Sequence, residues 1–124
     1  MTEILVIDDS QEFLFIINSL LEFHNVKVDS ASNPILAIEK IQEKKYSLII
    51  LDYIMDEMDG LEVAQKVREN VDYLGVPIIF LTTKNLNSSE LMLVNKMKLN
   101  YIQKPVMPSD LVKRVLDSIG RGQK

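Results

Sequence analysis

The chain has 124 residues, enough for one domain with a real core and too few for a second of ordinary size. Hydrophobic residues make up 47% and charged residues 26%, the balance of a soluble globular protein, and no apolar stretch reaches the roughly 18 residues of a membrane span. A net charge of -4 argues against a nucleic-acid surface, and the lack of cysteine excludes disulfides and thiolate metal sites.

The opening "MTEILVIDDS" has no basic n-region and its apolar run breaks on Asp8, so no secretory signal is expected and a cytoplasmic location is. The run Ile4 to Ile7 predicts a first strand, followed by a helix whose start is marked by Asp9 and Glu12 at capping-box spacing. Val26 to Val28 predicts a second strand, and Asn33-Pro34 opens a second helix with proline where a first turn accepts it. Ser47 to Leu51 predicts a third strand that stops on Asp52, and Asp59 with Glu62 starts the third helix. Pro77 to Leu81 is the fourth strand, Asn87 with Glu90 the fourth helix start, and Tyr101 with Ile102 a short fifth strand. Met107-Pro108 begins a fifth helix that should end near Ile119. Residues 1–120 are thus expected to form the domain and 121–124 a tail, with "GRGQK" a frayed end and no output domain after it.

Short apolar runs alternating with longer amphipathic segments predict an α/β fold of the (βα)5 kind. Three of the runs are apolar throughout rather than alternating, as a sheet covered on both faces requires, so the sheet should be parallel and doubly wound. Right-handed crossovers then favour the flavodoxin-like strand order 2-1-3-4-5. In that order a crevice opens beyond the carboxyl ends of the first and third strands. Asp8 and Asp9 follow the first strand, Asp52 the third, Thr82 and Thr83 the fourth and Lys104 the fifth.

Carboxylates crowded together repel and resist desolvation, so the arrangement asks for a cation. Oxygen ligands without His or Cys point to a hard divalent ion, and Mg2+ with retained waters suits them better than a closed Ca2+ cage. "DYIMDEMDG" lacks the ligand spacing of an EF-hand. An Asp beside a metal and a Lys can attack a phosphoryl group and form an aspartyl phosphate. Asp52 is the candidate nucleophile, with Lys104 to neutralise the phosphoryl oxygens and Thr82 to donate a hydrogen bond to one of them.

With these residues in view, the chain resembles the receiver domain of bacterial two-component response regulators in its single-domain, CheY-like form. The resemblance rests on "ILVIDDS", "LIILDYIMDEMDG", "VPIIFLTT" and "YIQKP", in that order and at these spacings. It implies that Asp52 is the phosphoacceptor, that Asp8 and Asp9 hold Mg2+, and that Ile54 lends its backbone carbonyl as a further ligand. It also implies that Thr82 is the switch hydroxyl, Tyr101 the switch aromatic and Lys104 the phosphoryl contact, with Lys104-Pro105 cis. The phosphoryl group would come from a sensor histidine kinase or a histidine phosphotransfer protein. The signal would leave through the fourth helix, fifth strand and fifth helix to a downstream target protein, with Leu91, Met92, Asn95, Tyr101 and Gln103 on that surface. The resemblance implies no enzyme beyond its own phosphoryl transfer and autodephosphorylation; charge and hydropathy predict no nucleic-acid and no membrane partner, and a monomer or a phosphorylation-linked dimer is expected.

Some positions depart from the family pattern. Asp56 stands where Pro is common, Thr83 replaces a usual small Ala, and Met97-Lys98 replaces a common Gly-Ala, which puts the end of the fourth helix in question. Ile54 and the long cation Lys84 are expected to impede the hydrolytic water and give a slow decay. His24 reads as a surface residue at a helix end, the methionines chiefly as core filling, and Glu43 to Lys45 as a solvated helix end whose cations suit the dipole. The leading alternative function is a degenerate receiver that binds partners without phosphorylation, which the intact set of Asp8, Asp9, Asp52, Thr82 and Lys104 does not favour. A hydrolase of the aspartyl-phosphate kind or a flavin carrier is disfavoured, since "IDDSQE" lacks the spaced second Asp and no Gly-rich loop can cradle a phosphate.

Overall fold

The computed structural model describes residues 3–53, 55 and 58–120. Five parallel strands, β1 (Glu3–Ile7), β2 (Lys27–Ala31), β3 (Leu48–Leu51), β4 (Ile78–Thr82) and β5 (Asn100–Gln103), lie in the order β2-β1-β3-β4-β5. Between and after them run α1 (Gln11–Phe23), α2 (Pro34–Glu43), α3 (Gly60–Glu69), α4 (Ser88–Lys96) and α5 (Pro108–Ser118), with a 3-10 turn at Val71–Tyr73 before β4. The doubly wound topology is the one the sequence predicts.

Alternation along the buried strands sorts the core into two layers. Leu5, Ile7, Ile49, Leu51, Ile78 and Phe80 pack with α2, α3 and α4 through Ala37, Val63, Val67 and Val94. Ile4, Val6, Leu48, Ile50, Ile79 and Leu81 face α1 and α5 through Leu14, Ile17, Leu111 and Val115. β3 and β4 are buried at every residue, which explains their unbroken apolar runs.

Departures from the expected boundaries have physical causes. β2 runs three residues past the expected Val28, to Ala31, because it is an edge strand, so Asp29 and Ser30 can lie half-buried in it. The cap of α1 is Ser10, not Asp9: its hydroxyl accepts the Phe13 N–H at 3.1 Å. Asp59 and Asn87 cap as expected, Asn87 with Glu90 closes a full capping box, and Asn33 caps α2 ahead of Pro34. α4 ends at Lys96, and Lys98 takes the left-handed conformation usually given to Gly, with φ of 58°. Arg68 of α3 supports that ending, donating to the carbonyls of Met97 at 3.3 Å and Lys98 at 3.4 Å as well as to Tyr73 and Val76 at 2.7 Å each.

Only Glu43 of the Glu43–Lys45 run is helical. Lys44 is not simply solvated, because its ammonium lies 3.0 Å from Asp29, which also accepts the Tyr46 hydroxyl at 2.7 Å. Met55 is buried and Met58 and Met97 pack against the core, whereas Met92 and Met107 are exposed. Among the described residues no helix is long and apolar enough to cross a membrane.

Candidate functional site

The sheet hydrogen-bond pattern places the candidate residues. The Asp8 N–H donates to the Ala31 carbonyl at 3.1 Å, the Asp52 N–H to Ile7 at 3.0 Å, and the Lys104 N–H to Thr82 at 2.7 Å. Each side chain therefore leaves the sheet at the first position past a strand, at the same end of adjacent or nearby strands. Carboxylate oxygens of Asp8, Asp9 and Asp52 come within 4.8 Å of one another. The Lys104 ammonium, with its side chain 17% exposed, lies 3.1 Å from Asp8 Oδ2 and 3.9 Å from Asp52 Oδ2. The Lys104-Pro105 bond is cis, as the resemblance implies.

Asp8 is only 2% exposed, and its other oxygen, Oδ1, accepts the Ser10 N–H at 2.9 Å. Burial pushes its carboxyl above the usual range, the Asp52 charge adds to this, and the Ser10 N–H and Lys104 oppose it without cancelling it. A raised carboxyl pKa stabilises the fold below the ordinary carboxylate value, and that stability is lost as pH rises through the folded-state value. Asp8→Asn is accordingly expected to raise the stability of the metal-free protein at neutral pH by about 0.5–2 kcal/mol. It should also flatten the pH profile above the acid range and blunt stabilisation by Mg2+; thermal melts across pH, with EDTA and with Mg2+, check all three.

The donor set fits a hard divalent cation: among the described residues three carboxylates converge, one of them buried, with one ammonium against them and no His or Cys ligand. Asp8, Asp9 and Asp52 would hold Mg2+. Ile54, Asp56 and Glu57 lie outside the described residues, and with them the expected carbonyl ligand and the acid at the family's Pro position.

Thr82 is fully buried at the end of β4, and its hydroxyl accepts the Lys84 N–H at 3.2 Å. The carbonyl of the same Lys84 accepts the hydroxyl of the half-buried Tyr101 at 2.6 Å. The Lys84 ammonium turns toward α4, 3.4 Å from Glu90 Oε2 and 5.3 Å from the centre of the Tyr53 ring. Burial and the Glu90 carboxylate push the Tyr53 hydroxyl up to about 12. Lys84 thus joins Thr82, Tyr101, Tyr53 and the first turn of α4, a convergence that its place two residues after Thr82 does not announce. Leu91, Met92, Asn95 and Gln103 are exposed and Tyr101 half-buried, so each expected partner residue is at least partly accessible. His24 caps the far end of α1 from Ser10, away from the carboxylates.

A family model described as the response regulator receiver domain matches residues 4–116. The chain belongs to that family. The receiver is 35% identical over 121 residues to the transcriptional regulatory protein SrrA of Staphylococcus aureus, a match that covers 98% of this chain and 49% of SrrA. It therefore spans about half the length of these relatives. A two-component response regulator from Clostridium difficile superposes on it with a TM-score of 0.87 at 30% identity, covering 98% of each chain. The response regulator TrrA from Thermotoga maritima, solved in complex with Mg2+ and BeF, superposes with a TM-score of 0.83 at 29% identity, covering 95% of this chain and 99% of that one. The receiver is a signal-transduction domain of a two-component system, and phosphorylation and Mg2+ are standard for its family. The expectation of no nucleic-acid partner does not carry forward. A net charge of -4 speaks for these 124 residues alone, whereas a relative of twice their length is a transcriptional regulator.

Proposed function

We propose that this receiver is a phosphoacceptor switch in which Asp52 takes a phosphoryl group from a phosphohistidine of a sensor histidine kinase or a histidine phosphotransfer protein. The observation that carries the reading is the Lys104 ammonium, 3.1 Å from Asp8 and 3.9 Å from Asp52, amid three carboxylates whose oxygens lie within 4.8 Å. An Asp52 oxygen forms the new O–P bond as the donor's N–P bond breaks, and the departing imidazole nitrogen takes a proton from water. Lys104 gives a hydrogen bond to one phosphoryl oxygen and the Thr82 hydroxyl to another. Asp8, Asp9 and Asp52 would hold Mg2+, with the Ile54 carbonyl as the resemblance implies, and the bound ion would supply charge neutralisation for the phosphoryl oxygens.

The same residues supply the switch. Lys84 is gripped on both sides, by Thr82 Oγ1 at its N–H and by the Tyr101 hydroxyl at its carbonyl. A dianion on Asp52 that draws the Thr82 hydroxyl away from Lys84 loosens that grip, and Tyr101 and the first turn of α4 move with it. The altered α4, β5 and α5 surface then binds a protein target, with the receiver a monomer or a phosphorylation-linked dimer. That surface serves equally a separate target and an output unit of the kind a transcriptional regulator carries. The receiver acts in the cytoplasm and catalyses only its own phosphorylation and dephosphorylation.

Incubation with acetyl phosphate and Mg2+, followed by intact-mass measurement and borohydride trapping, tests the reading. The expected result is one phosphoryl group per chain, dependent on Mg2+ and mapped to Asp52. If neither acetyl phosphate nor a cognate kinase modifies the protein, or if the group maps elsewhere, the reading fails.

A further inference from the structure

Phe13 sits in the first turn of α1, half-buried against the layer that α1 and α5 cover. Its N–H donates to Ser10 Oγ at 3.1 Å, and the Ser10 N–H donates to Asp8 Oδ1 at 2.9 Å. Asp8 Oδ2 accepts from Lys104 Nζ at 3.1 Å, and that Nζ lies 3.7 Å from the centre of the Phe13 ring. The four contacts close a circuit through Asp8, Ser10, Phe13 and Lys104. The ring and the carboxylate that flank the ammonium are therefore set relative to each other by the α1 cap.

The ring contact stands apart from others of its kind. The other cation-to-ring distances among the described residues run from 5.3 to 5.9 Å, at Tyr53, Tyr46 and Tyr73. A lysine ammonium sits on a flexible four-carbon stem, and fixing it in one place costs side-chain entropy. A carbonyl or second carboxylate on the Phe13 side would fix it by engaging a strong N–H bond. An aromatic face attracts the charge through its quadrupole and offers no lone pair, so the remaining donors stay available to an incoming group. The ring also lines a largely apolar groove together with Ile16, Thr83, Pro105 and Lys104 itself.

We propose that Phe13 is a positioning residue for phosphoryl transfer: its ring holds the Lys104 ammonium against Asp8 with its free donors directed past Asp52. This rests on the reading of Lys104 as the phosphoryl contact, and the test separates the two. In the metal-free protein the ε-methylene protons of Lys104, assigned by their loss in Lys104→Met, should be shifted upfield by the ring current. Phe13→Tyr should keep that shift and Phe13→Leu should abolish it. With acetyl phosphate and Mg2+, Phe13→Leu should phosphorylate about five- to tenfold more slowly at saturating donor, with little change in KM. Phe13→Tyr should stay within about twofold of wild type. Wild-type ε-methylene protons at the position of an exposed lysine overturn the proposal, as does a Phe13→Leu rate equal to wild type or a Phe13→Tyr rate as low as that of Phe13→Leu. A wild-type protein that takes up no phosphoryl group from any donor overturns the phosphoacceptor reading and this role together.

Discussion

Asp52→Asn is expected to lower Mg2+-dependent phosphorylation by at least about 10³-fold, measured by intact mass against acetyl phosphate. The amide keeps the volume of the side chain, and the backbone N–H that donates to the Ile7 carbonyl at 3.0 Å is untouched, so the sheet should survive. What is lost is the one carboxylate that belongs to the acidic cluster, faces Lys104 at 3.9 Å and extends from the central strand β3. Asp8 is a poor substitute nucleophile, being 2% exposed and already engaged by Ser10 and Lys104. Stability should move the other way: the Asp52 charge helps to raise the Asp8 carboxyl, so removing it relieves a repulsion in the metal-free state. A thermal melt in EDTA should therefore show Asp52→Asn at least as stable as wild type. Unchanged phosphorylation of the variant would refute Asp52 as the acceptor.

Asp8, Asp52 and Lys104 were legible in the sequence because each ends or follows a strand whose apolar run announces it, and a doubly wound parallel sheet gathers such ends in one place. Contacts made by side chains far apart in the chain were less so. Ser10 and Asp9 are adjacent and both suit an N-cap; spacing to Glu12 favours Asp9, but the fold uses the Asp9 carboxylate in the cluster and leaves the cap to Ser10. The ring of Phe13 looks like an ordinary apolar position of α1 until α1 and the end of β5 are brought together. Lys84 reads as a loop cation near Thr82, whereas its backbone and ammonium engage four residues on three elements and the loop. Lys98 has no glycine to mark its left-handed backbone; Arg68, from α3, holds the carbonyls at that bend. The partial exception is edge strand β2, whose polar Asp29 weakened the pattern because it is held by Tyr46 and Lys44 rather than by an apolar layer.

Gly60→Ala is expected to be the most damaging single-methyl change near the site. Gly60 opens α3, and its N–H donates to the Tyr53 carbonyl at 2.7 Å, which draws the helix start against the segment that carries Asp52. A Cβ there would lie 2.5 Å from the Asp52 carbonyl oxygen, 2.7 Å from Tyr53 Cα and 2.9 Å from Phe80 Cε1. Two of the three are backbone atoms, so no side-chain rotation relieves the overlap. Either α3 retreats, loosening Val63, Ala64 and Val67 from the core, or the chain after β3 moves and takes the Asp52 carboxylate with it. The expected loss is about 3 kcal/mol in the urea unfolding free energy, a drop of roughly 10 °C in the melting temperature. Gly75→Ala supplies the control, since a Cβ at that position meets nothing within 4 Å; its change should stay within about 0.5 kcal/mol. In the Gly60→Ala protein that remains folded, phosphorylation should fall more than fractional unfolding accounts for, because the displaced atoms include the backbone of Asp52, the proposed acceptor. Equal urea midpoints for the two variants would show that α3 can step away from Asp52 without loss, and that its close approach does not fix the acceptor's position.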